Sequence, residues 1–332
     1  MLLSPLIQAR KRATASSADL DFASGLMFAF GADCTAEVRV EAHSVCLAAA
    51  LGALSTPGTL RLPLPSGKLI AVRRGWVVEA GDWLYGALVA PRDVPLNQAT
   101  QALYGELFSL VQDRNLYRVW NYVPGINQLT DGLENYRHFS VGRSMAFQAA
   151  YSDNATARMS AASAVGAVEG GPLALAFIAG RHPVQHIENP HQVPAWQYPE
   201  RYGPRPPSFA RATTVQTPAG MAWFISGTAS IKGSETLHPG AIIPQMELTL
   251  DNLRALSAKM NLGAMLDRGA TGVGARRHVQ VYLRHAHDFS VARTFLEQNF
   301  LSAHDQVLYL HAPICRADLE FEMECTYLPE QR

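Results

Sequence analysis

The chain has 332 residues, 48% of them hydrophobic, and its 28 basic and 28 acidic side chains leave a formal net charge of zero. That length holds about two domains of ordinary size, and a neutral balance supplies no bulk field to draw phosphate backbones or anionic lipid. No apolar run reaches the roughly 20 residues of a membrane helix, and the charges of Met1–Arg12 follow its apolar stretch, the reverse of a signal peptide. Four cysteines without C-x-x-C spacing make no disulfide framework. The expectation is a cytoplasmic, two-domain globular protein without nucleic-acid or membrane partners.

In chain order, residues 1–20 are polar, rich in Ala and Ser, and expected to be disordered. Ala23–Phe30, Trp76–Glu79 and Trp83–Val89 read as strands, and Ala99–Val111 as a helix with Leu103, Leu107 and Leu110 at helical spacing. Arg118–Val123 reads as a strand, Gly132–Ala149 as a helix, and the apolar run Leu173–Ala179 as a buried strand. Seven of the 20 prolines then fall between Arg181 and Pro207, with Trp196, Tyr198 and Tyr202 among them. Proline fixes φ and removes a donor, so this stretch is neither helix nor inner strand. Three large aromatics favour a packed loop over a free linker.

Beyond it, Met221–Ile231 reads as a strand containing Gly227, and Pro244 opens a helix. A Gly-rich loop runs from Gly263 to Gly274. His278–Leu283 alternates as a half-buried strand, Asp288 is placed to cap the next helix, and Val307–His311 and Leu319–Met323 close the chain as strands. Arg118–Ala179 and His278–Met323 repeat the same strand–helix–loop–strand pattern. The expected fold is α+β: two related α/β sandwiches with mixed sheets and helices on one face, plausibly duplicated. The expected boundaries are 21–181, a structured connection at 182–207, and 208–332.

The usual chemical signatures are missing. No G-x-G-x-x-G follows a strand, and the loop at 263–274 lacks the Lys-Ser/Thr ending of a phosphate cradle. No His/Cys spacing suggests a metal, His285 and His287 read as surface residues, and Ser226 is not in a nucleophile elbow. On the closing strand Leu319, Phe321 and Met323 alternate with Glu320, Glu322 and Glu324. That row of carboxylates is either a solvated face or the wall of a cleft where burial and mutual repulsion raise one pKa. Arg143, Arg205 and Arg211 each read singly as surface ion pairs. Together with Tyr198 and Tyr202 they suggest a cleft for a small dicarboxylate.

From about Trp83 to Glu324 the sequence resembles the chorismatase family. The segments that carry the likeness are Val119-Trp120-Asn121-Tyr122, Gly125-Ile126-Asn127, Gly132-Leu133-Glu134, Val141-Gly142-Arg143, Ile187-Glu188-Asn189-Pro190, YGPRPPSFARAT (Tyr202–Thr213), ISGTASI (Ile225–Ile231), Leu250-Asp251-Asn252 and ICRADLEFEME (Ile314–Glu324). The C-terminal part also resembles the RidA/YjgF superfamily. The resemblance implies two RidA-like domains, the second carrying the catalytic glutamate, that release the enolpyruvyl group of chorismate as pyruvate without metal or organic cofactor. It makes Glu322 the acid that protonates the enol-ether methylene, and gives Arg143, Tyr198, Tyr202, Arg205 and Arg211 to the substrate.

Gly227, Cys315 and Gln192 resemble the members that form 3-hydroxybenzoate, with 4-hydroxybenzoate as a possible companion. The alternatives are the hydrolytic type, which yields a dihydroxycyclohexadiene acid, and a non-catalytic RidA-like binder of small anions. The chain departs from the family pattern at Ser234, Ala241, Pro313 and Glu320. Either a monomer or a homo-oligomer with RidA-like contacts is compatible with a duplicated chain.

Overall fold

The computed structural model describes residues 22–262 and 275–330; the expected disordered segment 1–20 and the Gly-rich loop 263–274 lie outside the described residues. The first half contains strands β1 (Phe22–Phe30), β2 (Glu37–Glu41), β3 (Ser44–Ala49), β4 (Gly52–Ala53), β5 (Thr59–Val72), β6 (Gly75–Ala80) and β7 (Trp83–Val89). Helix α1 (Leu96–Val111), β8 (Asn115–Pro124), the small hairpin β9 (Leu129–Thr130) and β10 (Leu133–Glu134), α2 (Asn135–Tyr151), β11 (Ala161–Ala167) and β12 (Ala174–Gly180) complete it. The second half runs through β13 (Val184–Ile187), β14 (Ala212–Thr217), β15 (Gly220–Ala229), β16 (Ile231–Lys232), β17 (Glu235–Thr236), α3 (Ile242–Lys259), β18 (Ala275–Leu283), α4 (Phe289–Asn299), β19 (Gln306–His311) and β20 (Phe321–Pro329).

Two mixed sheets result, nine-stranded β11-β8-β12-β7-β6-β5-β1-β3-β2 and seven-stranded β13-β14-β15-β20-β18-β19-β4. The repeat is present at the level of topology. β6-β7-β12-β8-β11 and β14-β15-β20-β18-β19 share one spatial order, each with three antiparallel pairings and one parallel pairing at the end. The register matches as well. Ala174 and Ala176 of β12 face Tyr122 and Trp120 of β8, as Glu322 and Glu324 of β20 face Tyr282 and Gln280 of β18.

The layers follow from which faces are apolar. In α1, Leu103, Tyr104, Leu107, Phe108 and Val111 recur three and four apart and are buried on the outer face of the first sheet with residues of α2. Each such side chain contributes about 1.5–3 kcal/mol by burial. Met246, Leu250, Leu253 and Leu256 of α3 do the same with Ala292 and Leu296 of α4 on the second sheet. The inner faces of the two sheets share a third core containing Trp120, Tyr122, Phe224, Tyr282 and Leu310. The order is helix, sheet, sheet, helix.

Four local expectations change. β18 is buried on both faces from Arg277 to Leu283, because the helices cover one side and the other sheet covers the second. Asp288 precedes α4 but makes no side-chain cap hydrogen bond. The helix expected from Gly132 starts at Asn135, after the β9–β10 hairpin. The closing strand starts at Phe321, so Leu319 packs in the inter-sheet core while Phe321 and Met323 pack under the helices. Between the halves the proline-rich stretch is ordered. It contributes the edge strand β13, two 3-10 turns and a fully buried Ala195.

Candidate active site

The strand alternation that puts Phe321 and Met323 under the helices turns Glu322 and Glu324 inward between the sheets, where they are 4% and 2% exposed. The solvated-face alternative is therefore wrong for this pair: the second sheet's carboxylates face the first sheet, not water. Their surroundings differ. Glu324 accepts hydrogen bonds from Arg118 Nη2 (2.6 Å), Trp120 Nε1 (2.7 Å) and Gln280 Nε2 (2.6 Å). Glu322 has the Cys315 thiol 4.0 Å from its Oε2. Burial, and after it the charge of Glu324, push the Glu322 carboxyl up to about 8, against the opposing pull of Arg118 and Arg211. Both causes favour the neutral form of Glu322.

Gly227 explains how the carboxyl fits. β15 loses its regular register against β20 between Ile225 and Thr228, and a Cβ built on Gly227 would overlap the Glu322 carboxylate and lie 3.2 Å from the Cβ of Ser163. A glycine inside a strand here marks a close approach of functional groups.

Cys315 leads from this carboxyl to a cavity of about 300 Å³, lined by Glu134, Tyr136, Arg137, Tyr198, Tyr202, Phe209, Arg211, Ile231, Cys315 and Arg316 among others. Burial, and after it the Glu322 charge, push the Cys315 thiol up to about 12, so it is a neutral wall group, not a thiolate. Arg211 donates to the Tyr198 hydroxyl (2.8 Å) and the Val193 carbonyl (3.1 Å), and its guanidinium lies 5.0 Å from the Phe209 ring centre. Glu188 lies 3.9 Å from Arg211 Nε, and burial raises its carboxyl to about 7 despite that neighbour.

Arg143 is 3% exposed and sits at i+4 from Phe139 and i−4 from Phe147, so the rings of both flank it on one face of α2. Its guanidinium lies 5.1 Å from the Tyr104 ring centre of α1. Gly142 permits this closeness, since a Cβ there would be 2.8 Å from the Thr100 side chain. Arg143 Nε and Nη2 are buried without a partner, and burial lowers its pKa. A cation in that condition suits an anionic ligand.

The structure thus gathers Arg211, Tyr198, Tyr202 and Cys315 on one cavity, with Glu322 between Cys315 and Gly227, and Arg143 against Phe139, whose ring stacks with Tyr136 of the wall. Two residues fall elsewhere. Arg205 is exposed, and its Nη1 is 3.4 Å from Gln148 Oε1, away from the cavity. Gln192 is buried one layer back, donating to the carbonyl of the lining residue Ile231 at 3.0 Å.

Sequence reasoning overlooked Arg316, which stacks 4.2 Å from the Tyr202 ring centre and 5.3 Å from that of Tyr198 and donates to Ser234 O (2.8 Å). It also overlooked Arg118, whose signal is the one charged residue in a strand of mainly aromatic and aliphatic residues. Arg284 ties down the loop carrying Cys315, donating to the carbonyls of Leu319 (2.6 Å), Ile314 (3.2 Å) and Arg316 (2.6 Å). Of the departures from the family pattern, Glu320 pairs with His285 at 3.1 Å, Pro313 O accepts from Gly166 N at 2.7 Å, and Ala241 immediately precedes α3.

A buried acid with a raised pKa between two sheets, separated by Cys315 from a cavity with arginines and tyrosines, is the equipment of an enzyme acting on a small anion. Residues 70–179 match the family model described as chorismatase FkbO/Hyg5-like, N-terminal. The chain is 40% identical over 250 residues to a chorismatase of Streptomyces rapamycinicus, covering 73% of this chain and 74% of that one. It is 36% identical over 253 residues to a 3-hydroxybenzoate synthase of Streptomyces hygroscopicus, covering 74% and 73%. A crystal structure of a chorismatase superposes with a TM-score of 0.79 at 30% identity, covering 96% of each chain. The chain belongs to the chorismatase family.

Proposed function

We propose that the protein cleaves chorismate to pyruvate and 3-hydroxybenzoate, with Glu322 as proton donor. The observation that carries this reading is the buried Glu322 carboxyl fitted against Gly227 and Cys315, the latter lining a cavity with Arg211 and Arg316. An enol ether is a poor base, so its protonation needs an acid held neutral near working pH. Chorismate carries two carboxylates, which suit Arg211 with Tyr198 on one side and the unpartnered guanidinium of Arg143 on another.

The proton goes to the terminal methylene and leaves an oxocarbenium ion. The neighbouring ring hydroxyl oxygen then bonds to the ring carbon as that carbon's bond to the enolpyruvyl oxygen breaks with its electron pair on the departing pyruvate, and the hydroxyl gives up its proton. The oxygen's original C–O bond breaks next, and a proton returns to that oxygen as the ring aromatises. Aromatisation expels one ring proton, which restores Glu322, so the balance is chorismate to pyruvate plus hydroxybenzoate with no water consumed. Gly227 and Cys315, which fit against the Glu322 carboxyl, support the aromatising outcome because they match the residues of the aromatising members that the sequence resembles. In the hydrolytic alternative one water is consumed and the ring keeps both oxygens as a non-aromatic diol.

Incubation with chorismate followed by chromatography separates these readings. Pyruvate with 3-hydroxybenzoate is the expected result. Pyruvate with a diol favours the hydrolase, and neither product from folded protein leaves only the anion-binding alternative.

A further inference from the structure

We propose that the Arg118–Glu324 ion pair is a positioning device that reserves the acidic proton for Glu322, by holding the Glu324 side chain to Arg118 two residues along the same strand face. This rests on the reading of Glu322 as the proton donor. The geometry divides two chemically identical groups. Glu324 takes three donors, two from β8 of the first sheet and one from β18 of the second, whereas Glu322 has the weak thiol contact of Cys315. Hydrogen bonds and a cation favour the ionised form, and burial without them favours the neutral form. The donors therefore separate the two members of the pair: both oxygens of Glu324 are held by donors, and Glu322 is left without them.

The fold itself does not need this ion pair. At the equivalent register positions of the first half stand Ala174 and Ala176, which pack in the same inter-sheet core. Replacing a buried ion pair as a whole by apolar residues is often neutral or stabilising, whereas removing one partner alone is costly. Their position beside Glu322 gives them a different use. Once Glu322 has released its proton, two carboxylates face one another in a dry interior, and the repulsion favours the proton's return.

The charged and titratable groups facing Glu322 are Glu324 on its own strand, Arg118 on β8, Tyr282 on β18, Arg211 ahead of β14, and Cys315 on the preceding loop. Glu324→Gln removes the repulsion and leaves the Arg118 cation uncompensated, and both changes ease ionisation of Glu322.

The test compares kcat/KM against pH for the full chain and for Glu324→Gln, and follows the carboxylic-acid C=O infrared band that Glu322→Gln abolishes. The expected result is an alkaline limb displaced to lower pH, with the rate ratio between pH 6 and 8.5 increasing about tenfold, and loss of the band at lower pH than in the unaltered protein. Gln280→Leu keeps both charges, removes one donor from Glu324, and is expected to let Glu324 compete for the proton, lowering the neutral-pH rate and adding a second C=O band without moving the alkaline limb to lower pH. It serves if Glu324→Gln does not fold. A uniform loss of rate at every pH with the band unmoved overturns the proposal while leaving Glu322 as donor. A displaced band together with an active Glu322→Gln overturns the donor role while leaving the tuning intact.

Discussion

The Glu322 carboxylate occupies the volume that a methyl group on Gly227 would need. The acid and the strand facing it are thus fitted to each other. Gly227→Ala is expected to push the carboxyl off its position and lower kcat by about 10- to 100-fold, since misplacement of a reacting group by about 1 Å costs that much. Adding Cys315→Ala returns space beside the carboxyl, and the double variant is expected to recover rate while shifting product toward the non-aromatic diol. Chromatography of the products reads both effects. An unchanged product ratio in the double variant would remove these two residues from control of the outcome.

On the proposed function, Arg143 is a residue whose use conflicts with stability. Its guanidinium is buried with two nitrogens unpartnered, a costly arrangement until an anion arrives. Arg143→Met is expected to raise KM about 10- to 100-fold, the loss of a charge-assisted hydrogen bond worth about 1.5–3 kcal/mol. The melting temperature of the ligand-free protein is expected to stay level or rise. A lower melting temperature with unchanged KM would make Arg143 a packing residue.

Glu322 sets a second such conflict, and its sign follows from linkage. The carboxyl is raised in the fold from 4.5 to about 8, so between those values the folded state holds a proton that the unfolded chain has released. Stability tied to this group is fully present below pH 4.5 and is lost as pH rises through about 8. Glu322→Gln removes the dependence. Its gain in unfolding free energy is expected to grow from near zero at pH 4.5 to a few kcal/mol at pH 8. Denaturant titrations at the two pH values measure it, and a gain independent of pH would contradict the buried acid.

Much of this was legible in the sequence, for reasons that differ from element to element. Spacing of three and four exposed the inward face of α1, and the apolar run Leu173–Ala179 exposed β12, because both bury a repeating face. The repeat was visible as an order of elements, and its equivalent register positions emerge only from strand pairing. Alternation put Glu322 and Glu324 on one face but did not say what covers it, since the cover is Trp120, Arg118 and the rest of a sheet some 200 residues away. Arg118 and Arg316 escaped for the same reason: their partners, Glu324 and the Tyr198–Tyr202 pair, are brought near only by the fold. Arg205 misled because a charge beside two prolines resembles a site residue, and the turn of the loop aims it outward.

The central claim is that Glu322 works as a protonated acid on chorismate, and the pH dependence of kcat/KM for pyruvate release, measured with the unaltered chain and with Glu322→Gln, tests it most directly. The expected profile is level through neutrality and falls about tenfold per pH unit above about pH 8 as Glu322 ionises, while Glu322→Gln loses about 10²–10⁴ in kcat with substrate binding largely kept. Turnover by Glu322→Gln at the rate of the unaltered chain, or a profile that stays level well above pH 8, would contradict it.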